Sequence, residues 1–136
     1  MRPTSIVRFE WVYLAIILIG IIDTALSWND VMATVQMQRM IAQLGAAAAY
    51  VPVVIGLLIQ FALLYFIGRR GSVVAKWIFV VLTGFGIASA CYGLATHTAS
   101  TPLLGVLGVV LLVLDAIAIW LLFRPDTRPW FGETVA

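Results

Sequence analysis

Long runs of apolar residues, separated by short polar breaks, dominate the chain. Four of these runs cover residues 9–28, 47–67, 73–95 and 102–123. Each is close to the ~20 residues that an α-helix needs to cross a ~30 Å hydrocarbon core. Because an isolated strand would leave its backbone groups unpaired in lipid, all four runs are predicted to be helices. The pattern predicts an all-α integral membrane bundle of four transmembrane helices, forming one domain over residues 1–136.

The longest stretch between two runs has the pattern of a short amphipathic helix, over about residues 30–45. Asn29 or Asp30 could cap its start, and Gly45 could end it. Its apolar residues recur at intervals of three and four, opposite a polar face; they are Met37, Met40, Ile41 and Leu44, facing away from Gln36, Arg39 and Gln43. This pattern favours a helix lying on the membrane surface or on the bundle.

Composition supports a membrane environment and excludes several classes of protein. Hydrophobic residues make up 63% of the chain and charged residues only 10%, against about 25% charged in a soluble domain. The low charge argues against a cytosolic enzyme or a nucleic-acid module, and Cys91 alone cannot form an internal disulfide. No spacing indicates a metal site, a cofactor or a catalytic set, and His97, the single histidine, is expected on a loop surface.

Basic residues indicate how the predicted spans are oriented. If the spans alternate in direction, seven basic residues fall on one side of the membrane and only Arg39 falls on the other. The seven are Arg2, Arg8, Arg69, Arg70, Lys76, Arg124 and Arg128. Under the positive-inside rule both termini are therefore expected in the cytoplasm.

The residues after the last span are expected to fold back. Pro125 and Pro129 prevent a helix from continuing unbroken past about Arg124. Trp130 and Phe131 are then predicted to return to the inner interface, where aromatic rings are enriched. Trp11, Tyr13, Tyr65, Trp77, Trp120 and Phe123 are also expected near that interface.

Polar residues within the spans are the candidate functional residues. Asp23, Gln60 and Asp115 need protein or water around them, because an ionisable group in hydrocarbon is costly. Rise per residue places Gln60 level with Asp115, and Asp23 level with Ser89. We therefore expect a Gln60–Asp115 contact and an Asp23–Ser89 contact, within one chain or between chains. Either aspartate could carry a proton or cation, or act as hydrogen-bonded interhelical glue.

Small residues along the spans are candidate helix-packing positions, because glycine lets two helices approach closely. They are Gly20, Gly56, Gly84, Gly86, Ala90, Gly93, Gly105 and Gly108. The third span carries small residues on two faces, so it is predicted to be the most enclosed.

Two short segments resemble a class of small bacterial proteins. The end of the chain, LLFRPDTRPWFG over residues 121–132, and RRGSVVAKW over residues 69–77 resemble those of small uncharacterised four-span proteins of the bacterial inner membrane. Those proteins close on a Phe-x-Pro followed by a Trp-Phe pair. The resemblance implies a bacterial inner-membrane location and assigns a role to no residue.

The sequence favours an interaction protein over an enzyme. Stripes of small residues, few intramembrane charges and the lack of a catalytic set suggest a scaffold or accessory subunit of a membrane complex, with the bilayer and either further copies or other membrane proteins as partners. The alternative is an oligomeric proton- or cation-coupled transporter or channel that uses Asp115 and, in a lesser role, Asp23.

Overall fold

A computed structural model describes residues 1–96 and 101–133 of the chain; His97 lies outside them. The described residues are all helical or irregular, in agreement with the predicted all-α class. The helices are α1 (Thr4–Ala33), α2 (Val35–Leu44), α3 (Ala47–Arg70), α4 (Val73–Ala95) and α5 (Pro102–Leu122), followed by two short 3₁₀ turns at Pro125–Thr127 and Pro129–Phe131.

Four helices are long and apolar enough to cross a membrane, as the hydropathy pattern predicts; they are α1, α3, α4 and α5. The helix ends match the expected local chemistry at two places. Thr101 caps α5 by accepting a hydrogen bond from the Leu104 backbone N–H, with Pro102 as the first helical residue. Gly45 ends α2 with φ at +84°, a conformation that favours glycine.

The start of α2 differs from the prediction. Asn29 and Asp30 lie inside α1, which continues to Ala33. Thr34 is the actual N-cap: its side-chain oxygen accepts a hydrogen bond from the Met37 backbone N–H. The apolar pattern of the first span runs on through Val31 and Met32, so α1 continues without a break past its polar positions.

The four long helices form a ring in which α1 lies between α3 and α5, and α4 lies diagonally opposite α1. α1 makes its most extensive contact with α5, and α2 packs on α3 and α1. Because successive long helices run in opposite directions, α1 begins at the end of the bundle where α3 ends, α4 begins and α5 ends. The seven basic residues that predict the membrane orientation all belong to this end, and Arg39 on α2 belongs to the other.

The core is concentrated at the end that carries both termini, called here the closed end. It contains Ile6, Phe9, Tyr13, Ile17, Leu63, Ile67, Ala75, Phe79, Ala118, Leu121, Leu122 and Phe131. Phe79 packs edge-on against two rings of α1, with ring centroids 5.3 Å from Phe9 and 4.9 Å from Tyr13. Tyr13 is thus a core residue of the closed end, and its expected depth near the inner interface stays a prediction.

The opposite half of the bundle, called here the open end, contains few buried residues. α4 shows the contrast best: Ala75, Lys76 and Phe79 are buried near its start, whereas Phe85 is 76% exposed and Tyr92 is 72% exposed. The prediction that the third span is the most enclosed is wrong within a single chain, because α1 has the larger buried set. Small residues reduce the width of a helix surface, but that surface becomes buried only where a neighbouring helix packs against it.

Candidate functional site

Two adjoining cavities lie between the long helices, and the polar residues of the spans line them. A cleft of about 720 Å³ lies between α1 and α3, and is called here the α1–α3 cleft. A central cavity of about 430 Å³ lies among all four long helices. Gly20, Gly56 and Gln60 line both cavities, so the two spaces adjoin along the α1–α3 contact.

Glycines widen this space. An added Cβ at Gly20 or at Gly56 would meet no atom within 4 Å among the described residues. The same holds for Gly84, Gly86 and Gly108. No neighbouring helix of the chain approaches these positions closely, so a packing role for them stays a prediction that would require a second chain. Gly93, Gly105 and Ala90 stay predictions as well.

The closest approaches to glycine occur elsewhere, at two positions near the closed end. A Cβ at Gly68 would overlap the Glu10 carboxyl group and lie 2.9 Å from its Cγ. A Cβ at Gly71 would overlap the Trp130 backbone oxygen, and Gly71 also has φ at +60°. Both glycines lie in the short break between the apolar runs 47–67 and 73–95, where nothing in the sequence indicates that another segment lies against them.

Asp115 and Gln60 both line the central cavity, as their predicted depth implies. Both residues are partly exposed to that cavity. In the part of the chain that the structure describes, no hydrogen bond joins the Gln60 amide to the Asp115 carboxylate. Tyr13 of α1 lines the same cavity as Asp115. Within one chain, Gln60 and Asp115 therefore line the same cavity without the direct contact that was predicted.

Asp23 lies in the α1–α3 cleft and does not meet Ser89. Ser89 is exposed on α4, which lies diagonally opposite α1 in the ring. The predicted Asp23–Ser89 contact is wrong within one chain, because depth along the bundle does not determine which helices are neighbours. Thr24 and Ser27 use their hydroxyl protons within α1: the hydroxyl groups donate to the backbone oxygens of Gly20 and Asp23, both at 2.8 Å.

Two aromatic rings flank the α1–α3 cleft toward the open end. Trp28 on α1 and Tyr50 on α3 lie with ring centroids 5.2 Å apart and planes inclined at 32°. Both residues line the cleft, together with Asp23, Thr24, Asn29 and apolar residues of both helices. Among the described residues that line this cleft, Asp23 is the one with an ionisable carboxyl group and none carries a positive charge.

The closed end has a second polar cluster, formed where residues 124–133, called here the C-terminal cap, fold back over the helices. Trp130 and Phe131 fold back as predicted and dock on the bundle; their position at the inner membrane interface stays a prediction. The Trp130 indole N–H donates to the Ile67 backbone oxygen at 2.9 Å, and Phe131 is 4% exposed. Thr127 donates to the Leu122 backbone oxygen at 2.8 Å, and so satisfies a carbonyl at the end of α5.

Charged groups hold the C-terminal cap in place. The Lys76 ammonium, whose side chain is 2% exposed, lies 2.7 Å from Glu133 and within 5 Å of the Phe123 and Phe131 ring centroids. Asp126 accepts hydrogen bonds from the Ser5 hydroxyl at 2.9 Å and from the Ser5 backbone N–H at 3.4 Å. Its carboxylate therefore stands at the N-terminus of α1, where negative charge is favoured.

The chain's own arginines complete the cluster. Arg2 binds both carboxylate oxygens of Glu10, at 2.7 and 2.8 Å, and Arg69 lies 3.6 Å from the same group. Sequence reasoning assigned these basic residues only to membrane orientation and missed their partners. The available signal was that three of the chain's acidic residues, Glu10, Asp126 and Glu133, belong to the same end as the basic ones.

Comparison of the chain with protein-family models, with curated proteins and with solved structures finds no match. The function must therefore be argued from the geometry of the two cavities, the helix surfaces and the C-terminal cap.

Proposed function

We propose that this chain is a multi-pass protein of a bacterial inner membrane, with both termini in the cytoplasm, that acts as a scaffold or accessory subunit of a membrane complex. The four long apolar helices support the membrane location. The concentration of basic residues at the closed end supports the orientation. The resemblance of residues 69–77 and 121–132 to small four-span bacterial proteins supports a bacterial origin.

The outward face of α4 carries the interaction proposal. Gly84 and Ala88, one turn apart, lie on the side of α4 opposite the core residue Phe79 and the cavity-lining Gly86. A Cβ at Gly84 would meet nothing within 4 Å among the described residues. Small residues at this spacing allow a second transmembrane helix to approach closely, and in lipid such packing is a principal source of helix association. α4 therefore offers a helix-sized contact face that the chain itself does not use.

Introducing a bulky side chain on this face tests the proposal. Ala88→Ile should reduce the amount of a co-purifying chain, or of a second copy, recovered in mild detergent from the native membrane, because it separates the helices at the contact. Ala62→Ile is the matched control: Ala62 is exposed on α3, but its neighbours one turn away are the bulky Leu58 and Phe66, so the same change there should leave recovery unaltered. Equal recovery for both variants would contradict a role for the α4 face.

Transport of protons or cations is the second candidate function, favoured by one observation: Asp23 and Asp115 line adjoining cavities that run from the open end into the centre of the bundle. Purified protein in liposomes would then carry protons or a monovalent cation along an imposed gradient. Asp115→Asn should abolish that flux while leaving assembly intact. Protein that stays inactive in liposomes, yet retains its partner through purification, would exclude this function and support the scaffold.

A further inference from the structure

The α1–α3 cleft has the size and lining of a small-molecule site. Its volume of about 720 Å³ falls within the range of roughly 300–1,000 Å³ that is usual for such sites. Apolar side chains such as Ile17, Val53 and Leu57 form most of its wall. The space exists because Gly20 and Gly56 face each other's helices without side chains, and an occupant could therefore make close contact with both backbones.

The charge of the residues that line the cleft determines whether a bound ligand should be positive or negative. Asp23 lies about five residues, or ~8 Å, from Trp28 along the helix axis, inside the apolar part of α1. Of the described residues, none donates a hydrogen bond to its carboxylate, and no basic side chain lines the cleft. Thr24 and Ser27 give their hydroxyl protons to backbone oxygens. An anion would therefore meet an uncompensated carboxylate, whereas a cation would neutralise it.

The aromatic pair points to the same class of ligand. Trp28 and Tyr50 both line the cleft and contribute aromatic ring surface to it, with their ring centroids 5.2 Å apart. Cations whose charge is spread over apolar groups bind to such faces, most strongly where water is excluded. A small hydrated metal ion would not benefit from an apolar wall, so the lining favours an organic cation.

We propose that the α1–α3 cleft binds a lipophilic organic cation, with the positive charge facing Asp23 and the apolar groups between α1 and α3. A partner helix fits the space less well, because a helix about 10 Å wide and 30 Å long occupies about 2,400 Å³. The site lies apart from the outward face of α4, so the proposal does not depend on the scaffold function.

Binding of tetraphenylphosphonium to the full chain in lipid nanodiscs is the direct test. The probe is a bulky delocalised cation, and tetraphenylborate is an anion of the same shape. We expect saturable binding of the cation after subtraction of its partition into empty nanodiscs, at about one per chain, and no saturable binding of the anion. Absence of saturable cation binding, or equal binding of both ions, would overturn the proposal.

Variants locate the site. Asp23→Asn is nearly isosteric and should weaken cation binding at least tenfold, and Trp28→Leu should weaken it several-fold. Asp30→Asn is the matched control, because it removes the same charge from α1 outside the cleft lining, and it should bind as the unaltered chain does. Unchanged affinity in Asp23→Asn, with the circular dichroism spectrum retained, would refute the assignment. So would photo-crosslinking from the position of Val53 in native membranes that captures another protein chain.

Discussion

At the scale of single residues, the most constrained positions are those that join distant parts of the chain at the closed end. Lys76 is the clearest example. Its side chain is 2% exposed, lies near two aromatic rings and forms an ion pair with a residue of the C-terminal cap. A buried charge is tolerated only when it is paired. The contribution of Glu133 to stability is therefore best measured by removing its negative charge while Lys76 is kept.

Glu133→Gln is expected to lower the free energy of unfolding by about 2 kcal/mol, the range for a hydrogen bond to a charged group. Lys76→Met should also destabilise the protein, and the double change should cost less than the sum of the two single changes, because no unpaired charge remains. Thermal unfolding of the four proteins in one detergent measures the coupling. Additive effects would show that the pair does not form.

Asp126 makes the C-terminal cap sensitive to acid. The hydrogen bond from the Ser5 hydroxyl holds the pKa of the Asp126 carboxyl below its usual range; burial opposes this shift, and the backbone N–H of Ser5 and the charge of Arg124 add to it. Because the folded state then binds a proton less readily than the unfolded state, the contact stabilises fully above the ordinary aspartate value of about 3.9. The stabilisation is lost as the pH falls through the lowered value.

Acid titration of the C-terminal cap should therefore show its release only below about pH 4. Trp130 fluorescence, with the other four tryptophans replaced, reports the change as a red shift and easier quenching by iodide. Asp126→Asn should remove the acid-dependent part of the shift and leave a weaker hydrogen bond to Ser5. A release centred near neutral pH would assign the effect to another group.

At the scale of the elements, α5 and the C-terminal cap behave as two units joined by a sharp turn. Pro125 and Pro129 each begin a 3₁₀ turn, since proline fixes φ but cannot continue the helical hydrogen bonds. The turns bring Trp130 across the end of α3, where Gly71 ends that helix in the left-handed region. The α3–α4 turn and the C-terminal cap thus depend on one glycine.

Gly71→Ala should undock the C-terminal cap. Alanine at φ of +60° costs about 1–2 kcal/mol, and its Cβ would also overlap the Trp130 backbone. We expect faster proteolysis of residues 124–133 and a lower melting temperature. Gly84→Ala, placed in open space inside α4, is the matched control; it should neither speed proteolysis nor lower the melting temperature, because alanine is a better helix former than glycine. Equal effects of the two substitutions would show that the close approach at Gly71 does not exist.

At the scale of the whole molecule, the bundle is closed at one end and open at the other. The closed end combines an aromatic core, ion pairs and the C-terminal cap. The α1–α3 cleft beside Asp23 lies toward the open end, and the central cavity beside Gln60 and Asp115 reaches the closed-end core. In the orientation proposed above, the closed end is the cytoplasmic one.

Thiol labelling of intact cells tests the orientation in the Cys91→Ser background. A cysteine at Gln36 on α2 should react with an impermeant reagent from outside, and one at Arg128 in the C-terminal cap should react only after the membrane is opened. Arg128 is exposed, whereas Thr127 is fully buried and would stay unlabelled on either side. Labelling of Arg128→Cys from outside would reverse the proposed orientation.

Part of the candidate site could be predicted from spacing along single helices. Gln60 and Asp115 lie at one level, and both line the central cavity, because rise per residue converts sequence position into depth. The partner of Asp23 could not be predicted, since depth does not determine the order of helices around the ring. The ion pairs of Glu10, Lys76 and Asp126 join segments far apart in the chain, and no local pattern specifies such pairs.

The sequence by itself determined the number, class and approximate limits of the long helices, because an apolar run of sufficient length has few alternatives in lipid. It also determined the ends set by local chemistry, such as Thr101, Gly45 and the two prolines after α5. Only the tertiary structure decided that the core gathers at one end, that the glycines of α1 and α3 border a cleft, and that the C-terminal cap covers the helix ends. Those features depend on which helix surfaces pack together. That packing is made by contacts between residues far apart in the sequence, which the pattern along the chain does not specify.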